Sequence, residues 1–335
     1  MVKRGLLFAA VVMLAGCAGL QPSSGLMPLG VQRAAHPDRN RSSMSPEAKT
    51  VKMLLYVGDE ETNDVYAYDY KSGKSVGTLT GFDEPYGECV DANGDIYVSN
   101  YGSGTVVEYA HGGTAPINTY SPGGTPIGCA VDSKGDVAVT SFDPGEVTVF
   151  AGGNPSEGTA YGGAGTYMFT VAYDSRGNLV GTCETSSGSS EFCGLLSGGT
   201  AITVLSTRGI KTEFPGGTAW DGKYFALGEE VGGPFQTGLV QATLKGTTLT
   251  YVSETALSDD CYNDYVDVVN PFIVGKTNLL FDDKQGNTLV GPNLWCVDGG
   301  KGKVDYWHYP KGGLPYKYLS GASADPYGAA VSIAP

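Results

Sequence analysis

The sequence is short of positive charge. Its 335 residues hold 21 Lys+Arg against 35 Asp+Glu, a formal net charge of −14. Such a chain cannot neutralise a row of phosphates, which excludes a nucleic-acid partner. Histidine is scarcer still: His36, His111 and His308 are the whole set. His36 falls in a polar leader segment, His111 in a turn between two outer strands, and His308 at the end of an outer strand. All three read as surface residues, so histidine-based acid–base chemistry is not expected. No Cys-x-x-Cys occurs and no His stands near a Cys, which argues against a zinc cluster or a dithiol redox pair. The apolar run at residues 6–15 is too short to span a bilayer and has the length of a signal-peptide core.

That run follows Lys3 and Arg4 and ends in Leu14-Ala15-Gly16-Cys17. The arrangement resembles the bacterial lipobox, which implies lipidation of Cys17 and a membrane partner reached through that lipid. Ala18 follows Cys17. In that resemblance it points to the outer membrane, in an organism that has one. Residues 18–50 show no strand or helix period and read as a flexible tether. Beyond them, residues 51–335 hold 15 Lys+Arg against 33 Asp+Glu, a charge of −18.

Glycine is abundant, 51 residues, and follows no collagen period. This composition points to a turn-rich all-β chain. The glycines mark an internal repeat. Asp91-Ala92-Asn93-Gly94-Asp95 precedes the strand Ile96-Tyr97-Val98-Ser99-Asn100. The phrase returns at Asp132, Asp174, Asp221 and Asp283, so successive anchors lie 41, 42, 47 and 62 residues apart. A period just above 40 with short strands predicts propeller blades. Leu55-Tyr56-Val57-Gly58-Asp59 matches the Tyr97 strand but lacks an inner strand before it. The missing piece stands at the other end: Asp325-Pro326-Tyr327-Gly328-Ala329-Ala330-Val331 echoes Glu84-Pro85-Tyr86-Gly87-Glu88-Cys89-Val90. The expectation is a six-bladed β-propeller over residues 51–335, closed by pairing of N- and C-terminal strands. Seven blades is the rival, should the long interval before Asp283 hide a copy.

The phrase from Pro85 to Asn100 resembles an NHL repeat. It is also similar to repeats of gluconolactonase-like and TolB-like six-bladed propellers. The resemblance implies the fold; these propellers include both enzymes and scaffolds.

Seven cysteines less Cys17 leave six, an even number for an exported chain. Six allow 15 connectivities, which the repeat frame narrows. Cys183 and Cys193 bracket a loop within one blade. Cys261 and Cys296 would pin an insertion before the last blade. Cys89 stands two residues before its anchor aspartate and Cys129 three before its own. This offset turns the two side chains to opposite sheet faces, and opposite faces of neighbouring blades meet.

A metal-dependent lactonase of the gluconolactonase-like type would need several oxygen ligands converging on the channel. At the position three before each anchor only Glu88 is charged, and that family's Glu-Gly-Pro and Ser-Asp-Gly phrases are absent. No catalytic residue is assigned and no cofactor is expected. Asp91-Ala92-Asn93-Gly94-Asp95 resembles a calcium loop but reads better as a hairpin turn. The acidic loop Asp59-Glu60-Glu61-Thr62-Asn63-Asp64 reads as solvated charge, with a surface Ca²⁺ or a cationic partner as its functional alternative. Asp259, Asp260, Asn263, Asp264 and Asp267 read the same way. Aromatic residues gather in the same loops. The candidate binding face is Asp59, Glu60, Tyr86, Glu88, Tyr101, Phe142, Phe235, Trp295 and Tyr327. Rings beside carboxylates suit a carbohydrate, a peptide, an envelope protein or a cationic ligand. The expectation is a lipid-anchored, non-catalytic binding or scaffold module, with the lactonase as its enzymatic alternative.

Overall fold

The computed structural model describes residues 41–335 apart from 164, 166, 212–213, 232–235, 258–271, 275–286, 294–302 and 321–325. Cys17, His36, Phe235, Cys261, Trp295, Cys296 and the acidic residues at 259–267 lie outside the described residues.

The anchor aspartates explain why the chain turns where it does. Asp91 Oδ1 accepts the backbone N–H groups of Asn93 and Asp95 at 2.9 and 2.8 Å. Asp132, Asp174 and Asp221 repeat the pattern at their own turns. Each carboxylate thus replaces a missing backbone partner in an Asx turn. The glycine that follows supplies the left-handed residue: Gly94 has φ +82°, Gly135 +83° and Gly177 +79°. The hairpin-turn reading of Asp91 agrees with this geometry.

Each turn joins an inner strand to its neighbour in one sheet. In the second sheet the order from the inside is Pro85–Val90, Ile96–Asn100, Thr105–Tyr109 and Pro116–Tyr120. The third sheet runs from Pro126–Val131 to Gly158–Tyr161, and the fourth from Tyr167–Tyr173 to Thr203–Val204. The fifth starts at Phe214–Trp220 and ends in two long strands, Gln236–Lys245 and Thr248–Leu257. Ser206–Arg208 adds to its outer edge in parallel. The sixth runs from Phe272–Val274 to Lys317–Ser320.

The first sheet is shared between the two ends of the chain. Met53–Asp59 pairs antiparallel with Pro326–Ile333, with Tyr56 opposite Ala330 and Gly58 opposite Gly328. This is the expected closure. Among the described residues there are six sheets, in agreement with six blades. The ordered body begins earlier than residue 51, however. Ser43–Met44 pairs with Ser75–Leu79 as a fifth strand, and Ala48 is fully buried. The end of the expected tether is therefore part of the first blade.

Strand alternation then builds the core. Leu54 and Tyr56 face the second sheet, where they meet Ile96, Val98 and Tyr109. Met53, Leu55 and Val57 face the sixth, where they meet Val304 and Tyr306. Four more clusters fill the seams between sheets two and three, three and four, four and five, and five and six. Six seams for six sheets close a ring in which every blade buries both faces. Buried Tyr and Trp side chains supply much of that apolar area.

Candidate ligand-binding mouth

One end of the ring collects the loops between the second and third strands and the links from one blade to the next. In the first four blades, apart from the link out of the fourth (205–213), which carries Arg208 and Lys211, these are residues 59–64, 80–86, 101–105, 121–126, 142–146, 161–167 and 184–191. They contain Asp59, Glu60, Glu61, Asp64, Asp83, Glu84, Asp143, Glu146, Glu184 and Glu191, and no Lys or Arg. The turns at the other end carry Lys71, Lys74, Lys134, Arg176 and Lys223.

A recurrent irregularity shapes this mouth. In five of the six sheets the pairing of inner and second strands slips near the mouth. The slips fall between Pro85 and Glu88, Thr140 and Ser141, Met168 and Val171, Pro215 and Thr218, and Gly58 and Asp59. A bulge bends the strand and re-aims the extra residue. Tyr86, Phe169 and Tyr327 occupy these positions. The phrase Pro-Tyr-Gly at 85–87 and 326–328 is the sequence signal for them.

The re-aimed rings form a continuous arc. Tyr327 lies 4.5 Å from Tyr86 between ring centroids, and Tyr86 lies 5.0 Å from Tyr101. Tyr101 is 6.4 Å from Phe142, which stacks on Tyr167 at 4.4 Å and meets Phe169 edge-on at 5.6 Å. All six rings are half-buried. They come from the inner strands of blades one, two and four and from the loops between the second and third strands of blades two and three. The structure thus brings together Tyr86, Tyr101, Phe142 and Tyr327 of the expected face, and adds Tyr167 and Phe169.

Carboxylates flank the arc. Burial raises the Tyr86 phenol well above its ordinary pKa, and the charges of Glu60 and Glu84 raise it further. Tyr101 is raised by burial first and then by Glu84, with Asp143 and Glu60 contributing. The loops that carry these charges are held by backbone contacts. Asn63 Oδ1 accepts the Glu84 N–H at 2.7 Å and Asn100 Oδ1 the Asp83 N–H at 2.6 Å. Asn63 and Glu84 both adopt left-handed backbone, φ +59° and +54°. Side chains other than glycine reach that region only where neighbours hold them.

Two members of the expected face are not at its surface. Asp59 is fully buried and accepts the Thr62 N–H at 2.9 Å, which shapes the acidic loop from within. Glu88 is 7% exposed and lies in the seam between the first two blades. Gly58 and Gly328 leave the room that its carboxyl fills, since a Cβ on either would collide with it. Neither oxygen has a partner in good hydrogen-bond geometry. Burial pushes the pKa well above the usual carboxylate range, and the Gly58 amide offsets this only in part.

The histidines also require a correction. His111 is buried, 8% exposed, and holds Val51 and Ser332 rather than facing solvent. His308 stacks on Tyr316 with centroids 4.3 Å apart. Both expected disulfides that fall within the described residues are present. Cys89–Cys129 joins the inner strands of blades two and three, and Cys183–Cys193 joins neighbouring strands within blade four. Among the described residues no three His, Cys, Asp or Glu side chains form a group able to hold a metal.

No family model matches the chain, and no curated protein matches it. Solved structures do. A chain in the crystal structure of a nidogen/laminin complex is similar over 84% of this chain and 99% of its own length, with 12% identity and a TM-score of 0.58. A protein of unknown function from Bacteroides caccae has the same coverage, with 15% identity and a TM-score of 0.56. TolB from Acinetobacter baumannii is similar over 77% of this chain and 61% of its own, with 14% identity and a TM-score of 0.51. At these identities the likeness establishes the fold, a β-propeller, and nothing finer.

Proposed function

We propose that the protein is an exported, lipid-anchored β-propeller that acts as a non-catalytic binding or scaffold module, with the mouth as its recognition face. The aromatic arc carries this reading. Six half-buried rings from several blades, held over a ring of rigid sheets, present a preorganised apolar surface with carboxylates at its margin. A carbohydrate, a peptide or an envelope protein would find stacking area there.

The two disulfides support an oxidising, extracytoplasmic setting. No helix among the described residues is long and apolar enough to cross a membrane. Attachment would then come from lipid on Cys17. For the enzymatic alternative, Glu88 is the one charged candidate, and its carboxyl fills a seam between blades.

A photo-crosslinking residue at Tyr101 of the full-length protein tests the face in cells, with Tyr251 on the outer edge of blade five as control. Adducts specific to position 101, lost when Phe142 is replaced by Ala, are the expected result. Adducts at 251 alone would move the recognition face to the ring's edge. Stoichiometric divalent metal that disappears in Glu88→Gln, together with lactone hydrolysis, would replace this reading with the lactonase.

A further inference from the structure

The mouth reading says where a ligand sits; its chemistry follows from what surrounds the rings. We infer that the mouth is selective for a cationic extended peptide, one whose Lys or Arg side chains lie across the aromatic arc. This rests on the reading of the mouth as the binding face.

Three observations lead there. The mouth loops between residues 59 and 191, which hold the whole aromatic arc except Phe169 and Tyr327, carry ten carboxylates and no basic residue; Arg208 and Lys211 enter only in the link out of blade four. Glu60, Glu84 and Asp143 are close enough to Tyr86 and Tyr101 to raise their pKa values. An anionic ligand would meet only repulsion on this surface, whereas an ammonium or guanidinium would gain both from the ring faces and from the charges beside them.

The second observation is a buried, oxygen-lined niche at the mouth end of the first seam. Glu88 stands two residues along the strand from Tyr86 and is more than nine-tenths buried. Its two oxygens lie beside the carbonyl oxygens of Pro85 and Tyr86, in the space next to Gly58 and Gly328, and have no hydrogen-bond partner. These oxygens gather beside Gly58 and Gly328, and the Gly58 amide is a nearby donor.

The third is spacing. Neighbouring rings stand 4.4–6.4 Å apart. Alternate side chains of an extended peptide repeat every ~6.6 Å on one face. Two basic residues at alternate positions would therefore match the 6.4 Å step from Tyr101 to Phe142 at the middle of the arc. A compact cation such as a metal ion would use one ring at most.

Calorimetric titration of the full-length protein with a dodecapeptide of alternating Lys and Ser, at low and high salt, tests this. A neutral β-linked glucose hexamer serves as the comparison. Expected are saturable peptide binding that weakens with salt and about a tenfold loss of affinity in Tyr86→Ala and in Phe142→Ala. A comparable loss is expected in the doubly neutralised Glu60→Gln/Glu84→Gln protein. Tyr86→Phe keeps the ring and should bind as the parent does, which separates loss of contact from loss of fold.

Hexamer binding that depends on Tyr86 and Phe142, with no peptide binding, would keep the mouth as the site and overturn the cationic class. Peptide binding indifferent to both ring variants would overturn the site and the class together. Absence of peptide binding at low salt would overturn the inference outright.

Discussion

The His111 imidazole fastens together the two ends of the propeller. Nδ1 lies 2.6 Å from Ser332 Oγ, on the closing C-terminal strand, and Nε2 lies 2.7 Å from the Val51 carbonyl, just before the N-terminal one. In the neutral ring Nε2–H donates to the Val51 carbonyl, while the Ser332 hydroxyl, in contact with Nδ1, donates to the Gly94 carbonyl. Tyr56 OH accepts the next backbone N–H, that of Gly112, at 2.9 Å. A turn of blade two thus clasps the seam where the ring closes.

Burial lowers the His111 pKa below the usual value, and the hydrogen bond to Val51 opposes this only in part. The unfolded chain then binds the proton more readily than the folded one. Stability from this residue is complete above the unfolded pKa and is lost as pH falls. Between pH 7 and pH 5 the urea midpoint of the parent should drop relative to that of His111→Gln, which cannot titrate in this range. A pH-independent difference would show that the ring is not buried neutral.

Glu88 responds in the opposite direction. Its folded pKa lies well above the unfolded one because burial disfavours the carboxylate. The folded state therefore holds the extra proton. The stabilisation is fully present below the unfolded pKa and disappears as pH rises through the folded value. Glu88→Gln keeps the shape and removes the charge, so its advantage over the parent should grow from pH 5 to pH 8, reaching about 1–3 kcal/mol. Chemical denaturation at the two pH values measures it. An advantage of the same size at both would mean that the seam admits enough water to keep Glu88 ionised.

Both residues mark the limit of what the sequence made legible. The fold could be read because each blade repeats an Asp that must cap a turn and a Gly that must be left-handed within it. The pairing of Cys89 with Cys129 could be read because a one-residue offset reverses the face of a strand. Burial of His111 could not. A turn residue is expected in solvent, and this one is covered by segments 60 and 221 residues away. Glu88 was visible as the single charge at its repeat position. Its withdrawal from the channel depends on the missing side chains of Gly58 and Gly328, which let two blades close over it. The aromatic arc was half legible: Tyr86, Tyr101, Phe142 and Tyr327 were on the expected face, but the bulge that aims Tyr86 and Tyr327 is invisible in simple alternation. Ser43–Met44 escaped notice because two residues on a sheet edge leave no period.

The two disulfides should differ in worth because they close different lengths of chain. Cys89 and Cys129 are 40 residues apart, whereas Cys183 and Cys193 are separated by 10. In the chain-entropy account the loss on removal is about 4 kcal/mol for the longer loop and about 2.7 kcal/mol for the shorter. The paired serine replacement at 89 and 129 should therefore lower the denaturation midpoint more than that at 183 and 193. The reverse order would mean that the unfolded chain already holds blades two and three together, or that the loop between 183 and 193 carries packing beyond its crosslink.

Asp91 and Asp174 occupy the same turn position in blades two and four, yet their acidities shift in opposite directions. Burial raises the pKa of Asp91, its turn hydrogen bonds notwithstanding, and Glu108 adds to the rise. Asp174 is equally a turn acceptor, and burial pushes it up as well. Hydrogen bonds from Asn178 and Arg176 outweigh that and bring it below the usual value. The difference lies in the residues four and two places on: Asn178 Nδ2 donates to Asp174 Oδ2 at 2.9 Å where blade two has the carboxylate Asp95. Asn93 is neutral, whereas Arg176 places Nη2 2.8 Å from Asp174 Oδ2 and reaches the Leu244 carbonyl of blade five at 3.1 Å. Asp174 therefore contributes stability that is present above the unfolded carboxylate pKa and lost on acidification, while Asp91 loses stability as pH rises. Asp174→Asn should cost about 1–3 kcal/mol near neutral pH, because Arg176 loses its charged acceptor. Asp91→Asn should cost less there, and the two costs should converge as the pH approaches the carboxylate range. Equal costs at neutral pH would show that the turn's backbone hydrogen bonds, rather than the Arg176 pair, set the worth of the anchor.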